Sequence, residues 1–241
     1  MNKHKKINNR SFFFLILFLF LTIAISLKTL KKVNIQDIRV FGSEFFSNKD
    51  IVNNSSLKFP IRLIFIQTDF LEKELKQNLS LKNVSVNRQI FPFGLRVHVN
   101  KRTPIAYGER ILNGKKILGF IDKDGFFINK ENADEKNLIA LTTKVFGWEE
   151  QFKKILSEIL ISQVKYELEL VKITFSSNGF LTIEEKDLKE IFLGFNQNII
   201  NYQLQIIKNL KNEFKKNNFF EKIDSIDLTD PNKPKIKVFK P

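Results

Sequence analysis

The feature that most constrains this chain is an uncharged apolar run near its N-terminus, from Phe12 to Leu27. Thr22 and Ser26 are its only polar residues, and as a helix it would extend roughly 24 Å, at about 1.5 Å per residue. An apolar run of this length between basic flanks is typical of a segment that enters a membrane. We therefore expect a transmembrane helix at residues 11–30, preceded by a cytoplasmic leader at residues 1–10.

Two interpretations of this segment remain open. An uncleaved helix would anchor the chain in the membrane, whereas a signal peptide would be removed after Ser26, where Ala24-Ile25-Ser26 fits the small-x-small pattern of a cleavage site. Both interpretations keep the N-terminus in the cytoplasm, because the short leader is basic and contains no acidic residue. Most of the chain is then expected outside the cytoplasm.

The charge of the chain indicates topology more than ligand binding. The chain has 40 Lys and Arg residues against 26 Asp and Glu residues, a formal net charge of +14 at pH 7. Half of this excess, +7, falls in residues 1–32, where there is no acidic residue. The other +7 is spread over the rest of the chain, which is modest for a nucleic-acid surface. We therefore expect no nucleic-acid partner.

The part of the chain beyond the apolar run is poor in groups that catalyse reactions or bind metals. It has no cysteine, and its one histidine, His98, lies on the polar side of an alternating strand. The segment from Asp122 to Gly125 lacks the later ligands of a calcium loop and is typical of a hairpin turn. Gly114 and Lys115 lack the spacing and the following Ser or Thr of a phosphate-binding loop, so a loose hairpin is predicted there. We expect no enzymatic activity, cofactor, metal or small-molecule substrate.

Residues 33–103 predict a small domain with the order strand, helix, helix, strand, strand. Ser47 and Asp50 have the spacing of a capping box, which marks the start of the first helix. A second helix is expected from Thr68 or Asp69, with one leucine face. The residues that alternate or recur on buried faces are Ile38, Val40, Leu71, Leu75, Leu79, Val84, Val86, Ile90, Leu95, Val97 and Val99.

Residues 104–241 predict a second domain of strands with two helices. The first helical face is expected to contain Trp148, Phe152, Ile155, Leu156, Ile159 and Leu160, and the second Ile199, Ile206, Ile207, Leu210 and Phe214. A hairpin is expected across Asn178-Gly179. Two last strands are expected around Ile226 and Ile236, on either side of a turn at Asp230.

Five short motifs occur in a characteristic order behind the apolar run. They are Asp37-Ile38-Arg39-Val40-Phe41-Gly42, the paired strands at 84–88 and 95–102, Lys101-Arg102-Thr103-Pro104-Ile105-Ala106, Phe120-Ile121-Asp122-Lys123-Asp124-Gly125, and Ile226-Asp227-Leu228-Thr229-Asp230-Pro231. In this order the chain resembles the bacterial cell-division family FtsQ, called DivIB in some lineages. The resemblance implies an α+β fold with one transmembrane helix, a polypeptide-transport-associated (POTRA) domain at 33–103 with the order β-α-α-β-β, and an FtsQ-type mixed β domain with two helices at 104–241.

The resemblance implies a function without catalysis. Members of the family are single-pass plasma-membrane scaffolds of the divisome that act at the division septum. Their extracytoplasmic domain binds FtsB- and FtsL-type membrane proteins, and the complex helps to control septal peptidoglycan synthesis. The alternative is a POTRA-containing accessory of outer-membrane protein transport or assembly. A secreted basic protein that binds a polyanion is a third possibility, and it requires cleavage after Ser26.

The resemblance also implies where partners bind. A partner segment is expected to extend a sheet along the exposed edge of the last strand. The residues implied for that strand and its neighbour are Ile226, Leu228, Asp230, Ile236, Lys237, Val238 and Phe239. Arg39 and Gly42, at the edge of the first strand of the POTRA domain, are expected to make recruitment contacts. An ordinary terminal strand without a partner remains the alternative, because every open sheet has an edge.

Overall fold

A computed structural model of the chain describes residues 9–133, 138, 141–217 and 220–239. Most of the predicted leader, residues 1–8, and the terminal Pro241 lie outside the described residues. The chain divides into two compact units, Met1–Lys101 and Arg102–Pro241. The sequence predicts the domain boundary two residues later, between 103 and 104.

The described residues form five helices and fourteen strands. The helices are α1 (Asn9–Leu30), α2 (Asn48–Asn53), α3 (Thr68–Asn78), α4 (Lys153–Lys165) and α5 (Ile200–Asn217). The strands are β1 (Lys32–Val33), β2 (Ile38–Phe41), β3 (Ile61–Arg62), β4 (Asn83–Gln89), β5 (Gly94–Asn100), β6 (Pro104–Leu112), β7 (Lys115–Asp122), β8 (Phe127–Asn129), β9 (Lys144–Phe146), β10 (Leu170–Phe175), β11 (Leu181–Glu185), β12 (Lys189–Gly194), β13 (Ile223–Asp227) and β14 (Lys235–Val238).

The helix predicted over the apolar run is present as α1. Within the described part of the chain, no helix has both the length and the apolar character needed to cross a membrane.

Helix α2 begins with the capping box that the sequence predicts. The Ser47 hydroxyl accepts a hydrogen bond from the main-chain N–H of Asp50 at 3.4 Å, and the Asp50 carboxylate accepts one from the N–H of Ser47 at 2.7 Å. Both N–H groups would otherwise have no partner within the helix. The hydrogen bond from the Ser47 hydroxyl also holds the pKa of the Asp50 carboxyl below its ordinary value.

Residues 38–100 of the first unit have the predicted β-α-α-β-β order around a three-stranded sheet, and the short strands β1 and β3, which the sequence did not predict, pair in a separate two-stranded sheet. The strand order of the three-stranded sheet is β2-β5-β4, with β2 parallel and β4 antiparallel to β5. Leu71 and Leu75 of α3, and Leu79 directly after it, are buried on one face, as their spacing predicts, and they pack in one core with Leu95 and Val97 of the central strand. The leucine periodicity therefore identified the face that α3 turns to the sheet.

The second unit is built on a nine-stranded sheet, counted over the described residues. Its order is β14-β13-β12-β11-β10-β9-β6-β7-β8. Strand β9 lies parallel to both β6 and β10, and so it joins the two halves of the sheet. Helices α4 and α5 contribute their apolar faces to one core with these strands. The predicted hairpin across Asn178-Gly179 is present between β10 and β11.

Of two further local predictions in the second unit, the first was wrong and the second is confirmed. Trp148, expected on a helix, lies in the loop between β9 and α4, where its indole N–H donates to the carbonyl of Gly125 at 2.8 Å. The indole is nevertheless buried, and its spacing from the buried residues of α4 therefore matched that of a helix. The hairpin predicted at Gly114 is present between β6 and β7, with Asn113 and Gly114, both at positive φ of 51° and 73°, as its two loop residues.

A buried carboxylate ties α5 to the sheet. Glu185 at the end of β11 is fully buried, and its oxygens accept hydrogen bonds from the N–H groups of Asp187 and Leu188 at 2.8 and 3.1 Å. Lys211 of α5 donates to the same carboxylate at 2.6 Å. Burial disfavours the charged ammonium, but the hydrogen bonds to Glu185 and Asp187 outweigh it, so the pKa of Lys211 is raised.

Candidate partner-binding edge

Strand β14 forms one border of the nine-stranded sheet. Within the described residues it pairs with β13 alone, in antiparallel register, with Ile236 opposite Ile226 and Val238 opposite Ile223. A β-bulge in β13, between Ile223 and Ser225, shifts the register by one residue. Strand β14 itself runs without interruption, so its second side is a regular edge.

The direction of the main-chain groups along β14 follows from one hydrogen bond. The N–H of Phe239 donates to the carbonyl of Lys222 at 2.9 Å, toward β13. Main-chain groups alternate between the two sides of a strand. The N–H and C=O groups of Ile236 and Val238 therefore point away from β13, where an added strand could pair with them.

The side chains of the edge are apolar and partly exposed. Ile236 and Val238 are 39% and 45% exposed, and Phe239 is 56% exposed. Their cross-strand partners on β13, Ile226 and Ile223, are fully buried in the core under the helices. Ile236 and Val238 therefore extend the apolar face of the sheet beyond the area that the protein covers itself.

Buried residues beside β14 hold its neighbour in position. Leu228 is fully buried, and its N–H donates to the carbonyl of Phe192 at 2.9 Å. The buried amide of Gln203 donates two hydrogen bonds, to the carbonyls of Leu193 at 2.8 Å and Leu228 at 2.7 Å. The side chains of Leu228 and Ile226 thus lie in the core and support β14 through its neighbour. No pattern in the sequence identified Gln203, because a polar residue on a helix is expected to face solvent.

Charged groups lie along β14 and in the turn before it. Lys237 lies 2.8 Å from the carboxylate of Asp224, and this hydrogen bond raises the pKa of the Lys237 ammonium. The Asp227 carboxylate accepts hydrogen bonds from the hydroxyl and the N–H of Thr229 at 2.6 and 2.9 Å. These bonds, the hydroxyl first, lower the pKa of Asp227. Asp230 is exposed and closes the turn before β14 by accepting from the N–H of Asn232 at 3.0 Å.

The two residues expected to make recruitment contacts lie in the first unit, on and directly after its edge strand β2. Strand β2 borders its sheet, and Arg39 is exposed there, opposite Arg96 of β5. Gly42 follows the strand with φ of +88°, and a Cβ at this position would lie 2.3 Å from the carbonyl oxygen of Val99. Only glycine fits this close approach.

The described residues contain no cluster of His, Asp and Glu side chains arranged to hold a metal ion. The segment from Asp122 to Gly125 is a turn. The Asp122 carboxylate accepts the N–H groups of Asp124 and Phe126, each at 2.9 Å, and the N–H of Gly125 donates to the Asp122 carbonyl at 3.0 Å. The prediction of a turn at this position is confirmed.

Comparison with known proteins identifies the first unit. Residues 33–102 match the model of the POTRA domain of FtsQ type. A relative is the cell division protein DivIB of Clostridium acetobutylicum, which is 28% identical over 109 residues. That match spans 45% of this chain and 42% of the relative, so the chain covers less than half of the relative's length. The predicted resemblance to the FtsQ/DivIB family is confirmed.

Proposed function

We propose that this chain, a relative of the FtsQ/DivIB proteins with an FtsQ-type POTRA domain, is a non-enzymatic membrane scaffold of the bacterial division machinery. The proposal is supported by the match at residues 33–102 and by the similarity to a cell division protein. In this proposal residues 33–103 are the POTRA domain, and residues 104–241 are an FtsQ-type β domain that binds partners.

The proposal includes a single-pass anchor at residues 11–30. Residues 12–27 are uncharged, and every side chain in this stretch is exposed in the isolated chain. Burial of such a surface in lipid removes it from water. The basic leader at 1–10 would stay in the cytoplasm, so both folded units would lie outside it, at the plasma membrane of the septum.

The observation that supports partner binding best is the open side of β14. Ile236 and Val238 direct their main-chain groups outward and keep apolar side chains partly exposed. A partner segment of the FtsB or FtsL type would pair with these groups as a further strand, while Lys237, Phe239 and Asp230 contact its side chains. Ile226 and Leu228 would support this site from the core.

The POTRA domain would serve recruitment through its own free strand, β2. Arg39 offers an exposed guanidinium on that edge, and Gly42 lets the chain turn closely over Val99. Bound in these two ways, the chain would bring division proteins together, and through them it would influence septal peptidoglycan synthesis without reacting chemically itself.

Localisation and depletion in the native host test this function. A fluorescent fusion of the full chain should gather at the division site, and depletion should produce filaments that fail to septate. An even distribution around the envelope together with normal septation after depletion would contradict the division role. Sequencing the N-terminus of the mature protein tests the anchor, because an intact leader excludes cleavage after Ser26.

A further inference from the structure

A group of exposed apolar residues of the first unit lies beside the C-terminal end of α1. The carbonyl of Lys31, one residue past the helix, accepts a hydrogen bond from the N–H of Leu63 at 3.4 Å. Strands β1 and β3 pair beside it, with Lys32 opposite Arg62. The short helical turn at Leu63–Phe65 is therefore fixed next to the point at which the chain leaves α1.

This turn exposes two large apolar side chains. Leu63 is buried in the core of the unit, whereas Ile64 and Phe65 are 53% and 64% exposed. The guanidinium of Arg88 lies at hydrogen-bond distance from the carbonyl of Ile64, 3.4 Å. The turn is thus held by the core and by β4, and its apolar tips point outward in a fixed position.

A further exposed apolar side chain lies in the turn that follows Arg88. Phe91, in the turn between β4 and β5, is 73% exposed. Its neighbour Phe93 receives the ammonium of Lys31 over its ring, 5.2 Å from the ring centroid. Because Lys31 contacts both the Phe93 ring and the Leu63 amide, the two exposed turns flank the end of α1.

The chain segments that carry these tips are basic, and the acidic Asp37 lies beside Gly94 at their border. The three segments that meet here, 31–36, 58–67 and 88–93, contain no acidic residue. Their basic residues are Lys31, Lys32, Lys58, Arg62 and Arg88. Basic groups around exposed aromatic and aliphatic tips are the composition of surfaces that sit in the boundary between lipid headgroups and acyl chains.

We infer that this face of the POTRA domain, defined by Ile64, Phe65 and Phe91, inserts into the outer surface of the membrane that holds α1, with the basic residues pairing with lipid phosphates. The inference rests on the proposed anchor, because α1 brings the face to the bilayer. Its two turns and the chain segment leaving α1 give three points of attachment. The first unit would then keep one orientation on the membrane instead of swinging on a flexible tether.

The absence of cysteine makes a direct test possible, because one introduced thiol can be labelled alone. The full chain carrying Phe65→Cys is labelled with the environment-sensitive dye NBD and reconstituted into vesicles of equal parts phosphatidylethanolamine and phosphatidylglycerol. The matched control is Asn83→Cys, an exposed position at the opposite end of β4 from Arg88. We expect a blue-shifted emission and strong quenching by lipids with a nitroxide near the headgroup at position 65, and neither effect at position 83.

Extraction of the vesicles with alkaline carbonate separates the two proposals. If the chain stays with the vesicles while the dye at 65 fluoresces as in water, the membrane contact is refuted and the anchor stands. If the chain is extracted, both proposals fail. A dye at 65 that becomes shielded only after a division partner is added would show a protein interface and refute the lipid contact. Replacing phosphatidylglycerol with phosphatidylcholine should weaken the quenching, since anionic lipid then no longer attracts the basic residues.

Discussion

Arg102 donates a hydrogen bond from Nη1 to Oδ2 of Asp122 at 2.5 Å, and its guanidinium lies over the ring of Phe126, 3.8 Å from the centroid. Both charged side chains are nearly enclosed, with exposed fractions of 9% and 3%. The pair joins the start of β6 to the turn after β7. The contact therefore lies within the second unit, which begins at Arg102.

Removing this guanidinium should destabilise the second unit. Arg102→Ala leaves the buried Asp122 carboxylate without a counter-ion, and breaking a buried pair in this way costs about 3–5 kcal/mol. The free energy of unfolding can be measured by urea denaturation of the full chain in detergent. Trp148, the one tryptophan of the chain, reports on this region because its indole N–H is bonded to Gly125 in the same turn.

A surface ion pair gives the matched control. Lys186 lies 2.7 Å from Glu169, and both side chains are well exposed. Water and salt screen such a pair, so Lys186→Ala should leave the denaturation midpoint almost unchanged. Equal midpoints for Arg102→Ala and Lys186→Ala would show that the Arg102–Asp122 contact adds no more to stability than the exposed Lys186–Glu169 pair.

The amide of Gln203 should stabilise the region behind β14. Gln203→Leu keeps a side chain of similar size but leaves the carbonyls of Leu193 and Leu228 without their donor, at a cost of about 1–3 kcal/mol for buried polar groups. The same urea measurement applies. Gln205→Leu, on the exposed side of α5, is the control and should change stability little. A Gln203→Leu protein as stable as the parent would show that the two hydrogen bonds of Gln203 do not stabilise this region.

The hydroxyl of Thr229 should control the titration of Asp227. The pKa of Asp227 is lowered from its ordinary value of 3.8, first by the hydrogen bond from this hydroxyl and then by the Thr229 N–H. A lowered carboxyl pKa stabilises the fold above the ordinary pKa, and this stabilisation is lost as the pH falls through the lowered value. Thr229→Val keeps the N–H and should raise the pKa of Asp227 part of the way to 3.8.

Carbon-detected NMR titration of the Asp227 carboxyl measures this change. The same substitution at Thr182, on β11 and away from Asp227, serves as the control and should leave the titration unaltered. An unchanged pKa in Thr229→Val would mean that the hydroxyl does not donate to Asp227 in solution.

The sequence predicted those parts of the fold that depend on neighbouring residues. The capping box at Ser47 and Asp50, the leucine face of α3 and the hairpin at Asn178-Gly179 each follow from local geometry, and each is present. The order of the last two strands was also predictable, because both alternate around a turn at Asp230.

Contacts between distant residues could not be predicted in this way. Strand β9 has three residues, too few for a recognisable alternation, and it finds its place only by pairing with β6 and β10. The Arg102–Asp122 pair and the hydrogen bond from Gln203 to Leu228 likewise join segments that are far apart in sequence. The spacing of hydrophobic residues indicates which face of a helix or strand is buried. It carries no information about which polar groups meet inside the core.

Partner binding through β14 is tested most directly at Val238. Val238→Pro removes an N–H that points away from β13, so the contact with β13 is retained while an added strand loses a donor and meets the proline ring. Val238→Thr keeps both the N–H and the branched shape. Affinity for the host's FtsB- and FtsL-type proteins is measured with full chains in detergent, and Trp148 fluorescence confirms folding of each variant.

If a partner adds a strand to β14, Val238→Pro should lower this affinity by about tenfold or more, the equivalent of about 1.4 kcal/mol. Val238→Thr should bind nearly as well as the parent. A folded Val238→Pro protein that binds its partners with the parent's affinity would contradict strand addition at β14.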